Sequence, residues 1–206
     1  MSFVLAALLA AAAAHPDPAA RPPDSIPAAG MDRAPRRGTY VEAALGVFTA
    51  MGGSRAFSSG QPYLGMTLGR DVGERVSVFA SLGVGAASAS CYQQAPGGGS
   101  CLGADAFGAT FLELGFSYGV PLLPRTLLSL KLMGGLTDLS PGPVQRDGAV
   151  PDHLRGPHAG AGLSLDYDTR LDHFALGLDT VFRESFAASN LRLSSLAVMP
   201  RIKYVF

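Results

Sequence analysis

Charge is scarce in this chain. Of 206 residues only 16% are charged, where roughly 25% is usual in soluble globular domains. That is too few to coat a conventional water-facing surface. The ions that are present balance, 16 basic against 16 acidic, and they form no basic stripe, which excludes a nucleic-acid-binding face. Tryptophan is missing, yet hydrophobic residues reach 48% and glycines number 26. Long apolar runs are missing too: once the N-terminus is set aside, none approaches the roughly 20 residues a spanning helix needs. High apolar content without a spanning helix leaves two architectures, a closed sheet in lipid or a very apolar soluble sandwich.

Cysteine is nearly missing. Cys91 and Cys101 bracket "YQQAPGGGS" in a turn-rich stretch, with no further Cys or His close by to complete a metal site. In an exported protein, a pair this close reads as a local disulfide. Closing a loop of about ten residues would stabilise the fold by about 2–3 kcal/mol on the loop-entropy model. Basic residues are missing from the N-terminus as well. "MSFVLAALLAAAAA" has the apolar core and small-residue end of a signal peptide over residues 1–14, but no Lys or Arg precedes that core. Residues 15–37, rich in Pro and Ala and without periodicity, read as a disordered periplasmic linker.

What the chain has in abundance is alternation. In "GTYVEAALGVFTA", Val41, Ala43, Leu45 and Val47 share one face, and Tyr40, Glu42, Ala44 and Gly46 share the other. A period of two puts one face in contact with apolar surroundings and the other away from them. The same texture recurs in "PYLGMTLGRD", "RVSVFASLGVGAA", "FGATFLELGFSYGV", "TLLSLKLMGGLT", "PHAGAGLSLDYD" and "HFALGLDTVFR". It ends with Leu196, Val198, Ile202, Tyr204 and Phe206 set against Ala197, Met199, Arg201 and Lys203. Helix is a poor rival, because internal glycine costs a helix about 1 kcal/mol each and strict alternation gathers no apolar stripe. Eight strands result, each long enough to cross a bilayer when tilted.

The connections alternate as well. "MGGSRAFSSGQ", the Cys-bearing stretch and "DLSPGPVQRDGAVPDHLRG" are long, while "RDVGE", "VPLLPR" and "DTRLD" are short. "ESFAASNLRL" is of medium length. Long loops at one end and tight turns at the other mark an outer-membrane barrel, with the turns and both termini in the periplasm. The sequence therefore predicts an all-β fold over residues 38–206: an eight-stranded, antiparallel, up-and-down transmembrane β-barrel. In a barrel the last strand pairs with the first, which explains why the alternation runs to the final residue. Ile202, Tyr204 and Phe206 resemble the C-terminal signal by which bacterial outer-membrane proteins are recognised by the barrel assembly machinery. Pro200 removes a ladder donor, so a bulge or local distortion is expected there.

The inward positions collect Glu42, Glu113, Lys131, Asp166, Asp179, Arg183, Arg201 and Lys203. An eight-stranded barrel is just wide enough for side chains to fill, so these groups are expected to neutralise one another in a lumen charge network; a proton or ion path is the functional alternative. Histidine is scarce: His15 precedes the barrel, His153 lies in a loop, His158 begins a strand and His173 borders a short turn. Asp152 is near His158 and Ser164 farther along the strand, but no Ser, His and acid fall at a catalytic register. "GGGS" lacks the strand and helix of a phosphate-binding loop. No catalytic residue, metal site or cofactor is expected.

Taken together, "YVEAALGVFTAMGG", "FGATFLELGFSYGVPLLPRTLLSLKLMGG", "GLSLDYDTRLDHFALGLD" and "PRIKYVF" resemble the CglE family, small outer-membrane proteins of the adventurous gliding motility apparatus in myxobacteria. "TFLE", the "YGVP" that follows and "LDHF" are the pieces that alternation alone does not require. The resemblance covers the barrel and not the linker. It implies a non-enzymatic structural component of an envelope-spanning complex, exchangeable between cells by outer-membrane contact, with outer-membrane lipid and other gliding-complex proteins as partners. Two other readings stand beside it: a barrel of the OmpX or OmpW kind with a narrow solute conduit, and a lipid-modifying barrel enzyme.

Overall fold

The computed structural model describes residues 37–51, 60–88, 106–140, 152–171, 173–187 and 191–206. Cys91, Cys101, the signal segment and all of the linker but Arg37 lie outside them. The eight strands are β1 (Thr39–Met51), β2 (Gln61–Asp71), β3 (Val76–Ser88), β4 (Ala106–Leu123), β5 (Thr126–Leu139), β6 (Leu154–Asp168), β7 (Phe174–Ala187) and β8 (Leu191–Val205). Each pairs antiparallel with the next, and β8 pairs back to β1, closing the barrel.

Alternation decides which way each side chain faces. Leu45, Met66, Leu82, Leu114, Leu136, Leu163, Leu176 and Ile202 are exposed, spread over all eight strands. Their inward neighbours, among them Glu42, Glu113, Lys131 and Asp179, are buried. Exposed leucines all round and buried ions within would be upside down in water. Hydrocarbon outside the wall makes both favourable.

Several strands run past the ends that composition suggests. "VPLLPR" reads as a turn, but β4 continues through Leu123 and only Pro124 and Arg125 turn the chain. Proline at the first central position of a turn is pre-set for that geometry. Pro121, which has no N–H to give a ladder, is absorbed by a register shift between Pro121 and Leu123. At the other end, β7 and β8 leave only residues 188–190 between them, so this connection is shorter than its composition implies. Serine and alanine, as at Ser185 and Ala187, carry no signal against an extended strand that a neighbour already pairs.

Pro200 does disturb the closing seam. The β1–β8 ladder holds from Tyr40↔Val205 to Ala44↔Arg201 and resumes at Val47↔Val198 in the same register, with Leu45 and Gly46 unpaired between. The interruption costs no residue, so it is a gap and not a bulge. Gly46 sits in it with β8 pressed close: a Cβ there would fall 2.6 Å from Met199 Cα.

Candidate functional site

The strand registers wind the inward residues into a spiral. From the short-turn end, one row runs Asp168, Ala175, Lys203, Glu42, Thr67, Ser81, Glu113, Gly135, His158 and Ser185. Residues far apart in sequence are thus neighbours along one polar path. Side chains from this row and its neighbours meet in two clusters across the lumen.

The lower cluster centres on Arg201. Its guanidinium pairs with the carboxylates of Glu42 and Asp166, lies 2.8 Å from Asp179 through Nε, and donates to Ser164 Oγ at 2.7 Å. Lys131 donates to Asp179 at 2.7 Å and stands 3.7 Å from Glu42. Small residues make room for this. A Cβ at Gly177 would fall 2.6 Å from Asp166 Oδ1 and 2.8 Å from Arg201 Nε. Lys203, the next inward residue on β8, lies 3.9 Å from the centre of the Tyr40 ring, a cation–π contact.

The upper cluster centres on Glu113. Arg183 reaches it from β7 with Nε at 2.7 Å and Nη2 at 3.1 Å, and Ser81 donates to it at 2.9 Å. His158 Nε2 lies 3.0 Å from the same carboxylate, which can only accept, so Nε2 carries a proton. His158 Nδ1 lies 2.9 Å from Thr137 Oγ1, and Thr137 lies 3.0 Å from Ser185 Oγ. Arg183 also donates to Tyr63 Oη at 3.0 Å and lies over the Phe111 ring. A void of about 40 Å³ separates the clusters.

Hydroxyl, imidazole and carboxylate in sequence resemble a nucleophile–base–acid relay. Here every member is buried, Thr137 at 1% exposure and Ser185 at 0%, so no substrate reaches the hydroxyls. The chain of contacts holds the wall together. His173, the other barrel histidine considered for catalysis, instead bonds the Val205 carbonyl through Nδ1 at 2.6 Å and stacks on Tyr204.

All eight charged residues read as lumen-facing from the sequence are on the inward face. Glu42, Asp166, Asp179, Lys131 and Arg201 meet in the lower cluster, Glu113 and Arg183 in the upper, and Lys203 stands below at the mouth. Four acids face four bases, so their charges cancel. Ile202, Tyr204 and Phe206 lie on the outer wall near the turn end. There Tyr204 packs against Phe174 and Phe206 with ring centres 5.0 and 5.1 Å apart. Ion pairing is not the whole filling, however. Phe48, Phe107, Phe111, Leu139 and Leu193, all at or below 1% exposure, form an apolar plug toward the long-loop end. A reading that follows only the charged inward positions misses this plug, because it is built from apolar residues on the same inward phase. Continuing the phase inward reaches Phe48 and Phe111.

These features define a small transmembrane β-barrel whose lumen is crossed by buried ion pairs. No family model and no curated protein matches the sequence. Among solved structures, neisserial surface protein A is similar at TM-score 0.61 and 12% identity, over 82% of this chain and 97% of that one. Ail, the attachment invasion locus protein of Yersinia pestis, gives TM-score 0.48 and 8% identity over 82% of this chain and all of its own (100%). The N-terminal β-barrel domain of Pseudomonas aeruginosa OprF gives 0.44 and 12% over 82% and 100%. The first of these establishes the fold, and at such identity the fold alone.

Proposed function

We propose that the protein is a non-enzymatic component of the bacterial outer membrane, acting as a structural and interaction element of a cell-envelope complex. One observation carries the reading: the middle and the long-loop end of the lumen are filled by the barrel's own side chains. Its ion pairs close on one another and an apolar plug lies above them, so the surfaces free to act are the outer wall, the loops and the two rims. The CglE resemblance narrows the complex to one for adventurous gliding motility, with outer-membrane lipid and other gliding proteins as partners. Outward-facing Ile202, Tyr204 and Phe206 support recognition by the barrel assembly machinery during insertion.

Crosslinking in the native outer membrane, followed by identification of the proteins recovered with this chain, tests the reading. Recovery of a reproducible set of envelope proteins, together with loss of gliding on deletion, is the expected result. Steady single-channel conductance from the pure protein in planar bilayers would instead support a solute conduit. Altered lipid A that depends on His158 or His173 would support an enzyme, and either result overturns the structural reading.

A further inference from the structure

Among the described residues, the short-turn end of the lumen is open. A cavity of about 330 Å³ lies there, bounded by Glu74, Arg75 and Pro124 in the turns and floored by Glu42, Lys131 and Arg201. Two charged side chains on its wall, Lys203 and Asp168, form no ion pair with any described residue. Asp168, Ala175 and Lys203 share one row across β6, β7 and β8. Two strand spacings put the α-carbons of the charged pair about 10 Å apart, with only the Ala175 methyl between them. Beside Lys203, the Tyr40 hydroxyl donates to Ser77 Oγ at 3.3 Å, and Ser77 and Ser117 lie 2.6 Å apart. Nearer the opening the lining mixes apolar Val76, Pro121, Leu123 and Leu127 with charged Asp71, Glu74, Arg75 and Arg125.

We propose that this cavity binds a small zwitterion with separated charges, of the class of a short peptide with free ends. Its carboxylate would meet Lys203 and the Ser77 hydroxyl, its ammonium would meet Asp168, and its side chains would lie on Leu123 and Leu127. Charge balance selects this class. Lys203 and Asp168 are one base and one acid, so a net anion would leave Asp168 without a counter-charge and a net cation would leave Lys203 without one, and an uncompensated charge is costly in a poorly hydrated site. A zwitterion satisfies both unpaired groups and leaves the balance unchanged. Mouths of β-barrels are among the places where small-molecule sites form, and the volume lies in the range such sites occupy.

Calorimetric titration of the full chain in lipid nanodiscs with dialanine tests the proposal. Saturable binding is expected. N-acetyl-dialanine, which keeps only the anion, and dialanine amide, which keeps only the cation, are each expected to bind about tenfold more weakly, as a lost hydrogen bond to a charged group implies. K203M and D168N are expected to weaken dialanine by a similar factor, with folding checked by circular dichroism and heat-shifted gel mobility. The blocked peptides carry the test on the unaltered protein should a variant fail to fold. No saturable binding, or equal binding of free and blocked peptides, overturns it. Neither result bears on the envelope role, which crosslinking tests separately.

Discussion

Arg183 on β7 holds Glu113 on β4 through two nitrogens, at 2.7 and 3.1 Å, from strands that are not neighbours in the sheet. The pair therefore spans the lumen and ties one wall to another, independently of the ladders. Strand pairing alone would leave a closed ribbon free to flatten. Cross-lumen pairs from Arg183 and Arg201 hold its section open and filled.

Removing one partner leaves the other buried and uncompensated, which costs about 3–5 kcal/mol. Glu113→Ala is expected to destabilise by that order, since Arg183, His158 and Ser81 all lose their acceptor together. Replacing both partners with apolar residues of similar volume, as in E113L/R183M, should cost less than the single change. Urea unfolding from lipid vesicles reads both. A double variant less stable than E113A would mean that the pair contributes more than mutual neutralisation.

The seam between first and last strands makes a second test. Pro200 interrupts the ladder, and β8 runs so near Gly46 that a Cβ would fall 2.6 Å from Met199 Cα and 2.8 Å from Met199 Cγ. Backbone cannot give way there without opening the seam. Gly46→Ala is therefore expected to lower the yield of folded barrel, read as the heat-shifted band on a gel. Gly134→Ala is the control, since its nearest neighbour is the His158 carbonyl at 3.4 Å. Equal yields from the two would show that the seam tolerates separation.

Alternation was enough to read the barrel and its two faces because inside and outside differ so sharply in this chain. Glu42 and Lys131 could be set inward from their own strands alone. That Lys131 meets Asp179 and Glu42 together depends on register across β5, β7 and β1, and a single strand carries no register. The spiral row from Asp168 to Ser185 was illegible for the same reason. So was the Thr137–His158–Glu113 chain, whose members come from β5, β6 and β4. Strand ends were misread where Pro121 and Ser185 imitate loop composition, although β4 and β7 run through them. There, pairing with an established neighbour outweighed local propensity, which for strands is context-dependent.

Cys91 and Cys101 offer a third test, outside the described residues. A disulfide between them is expected, so maleimide should label the exported protein only after reduction. The C91S/C101S pair should lower stability by about 2–3 kcal/mol if the loop-entropy account holds. Labelling without reductant would remove the disulfide from the description and leave the barrel untouched.

The last test concerns what lies outside the wall. Leu114, midway along β4, is 70% exposed, and Leu171, in the turn before β7, is 68% exposed. In water the two leucines would be equivalent, and arginine at either would be harmless or helpful. In a membrane they differ, because arginine on the lipid face costs about 2–4 kcal/mol at the midplane and about 0–1 near an interface. Leu114→Arg is thus expected to destabilise strongly in vesicles and Leu171→Arg hardly at all, although neither side chain loses a packed neighbour inside the protein. Equal effects at the two sites would mean that hydrocarbon does not surround the barrel. The inversion of exposed leucines and buried ions would then lose its cause.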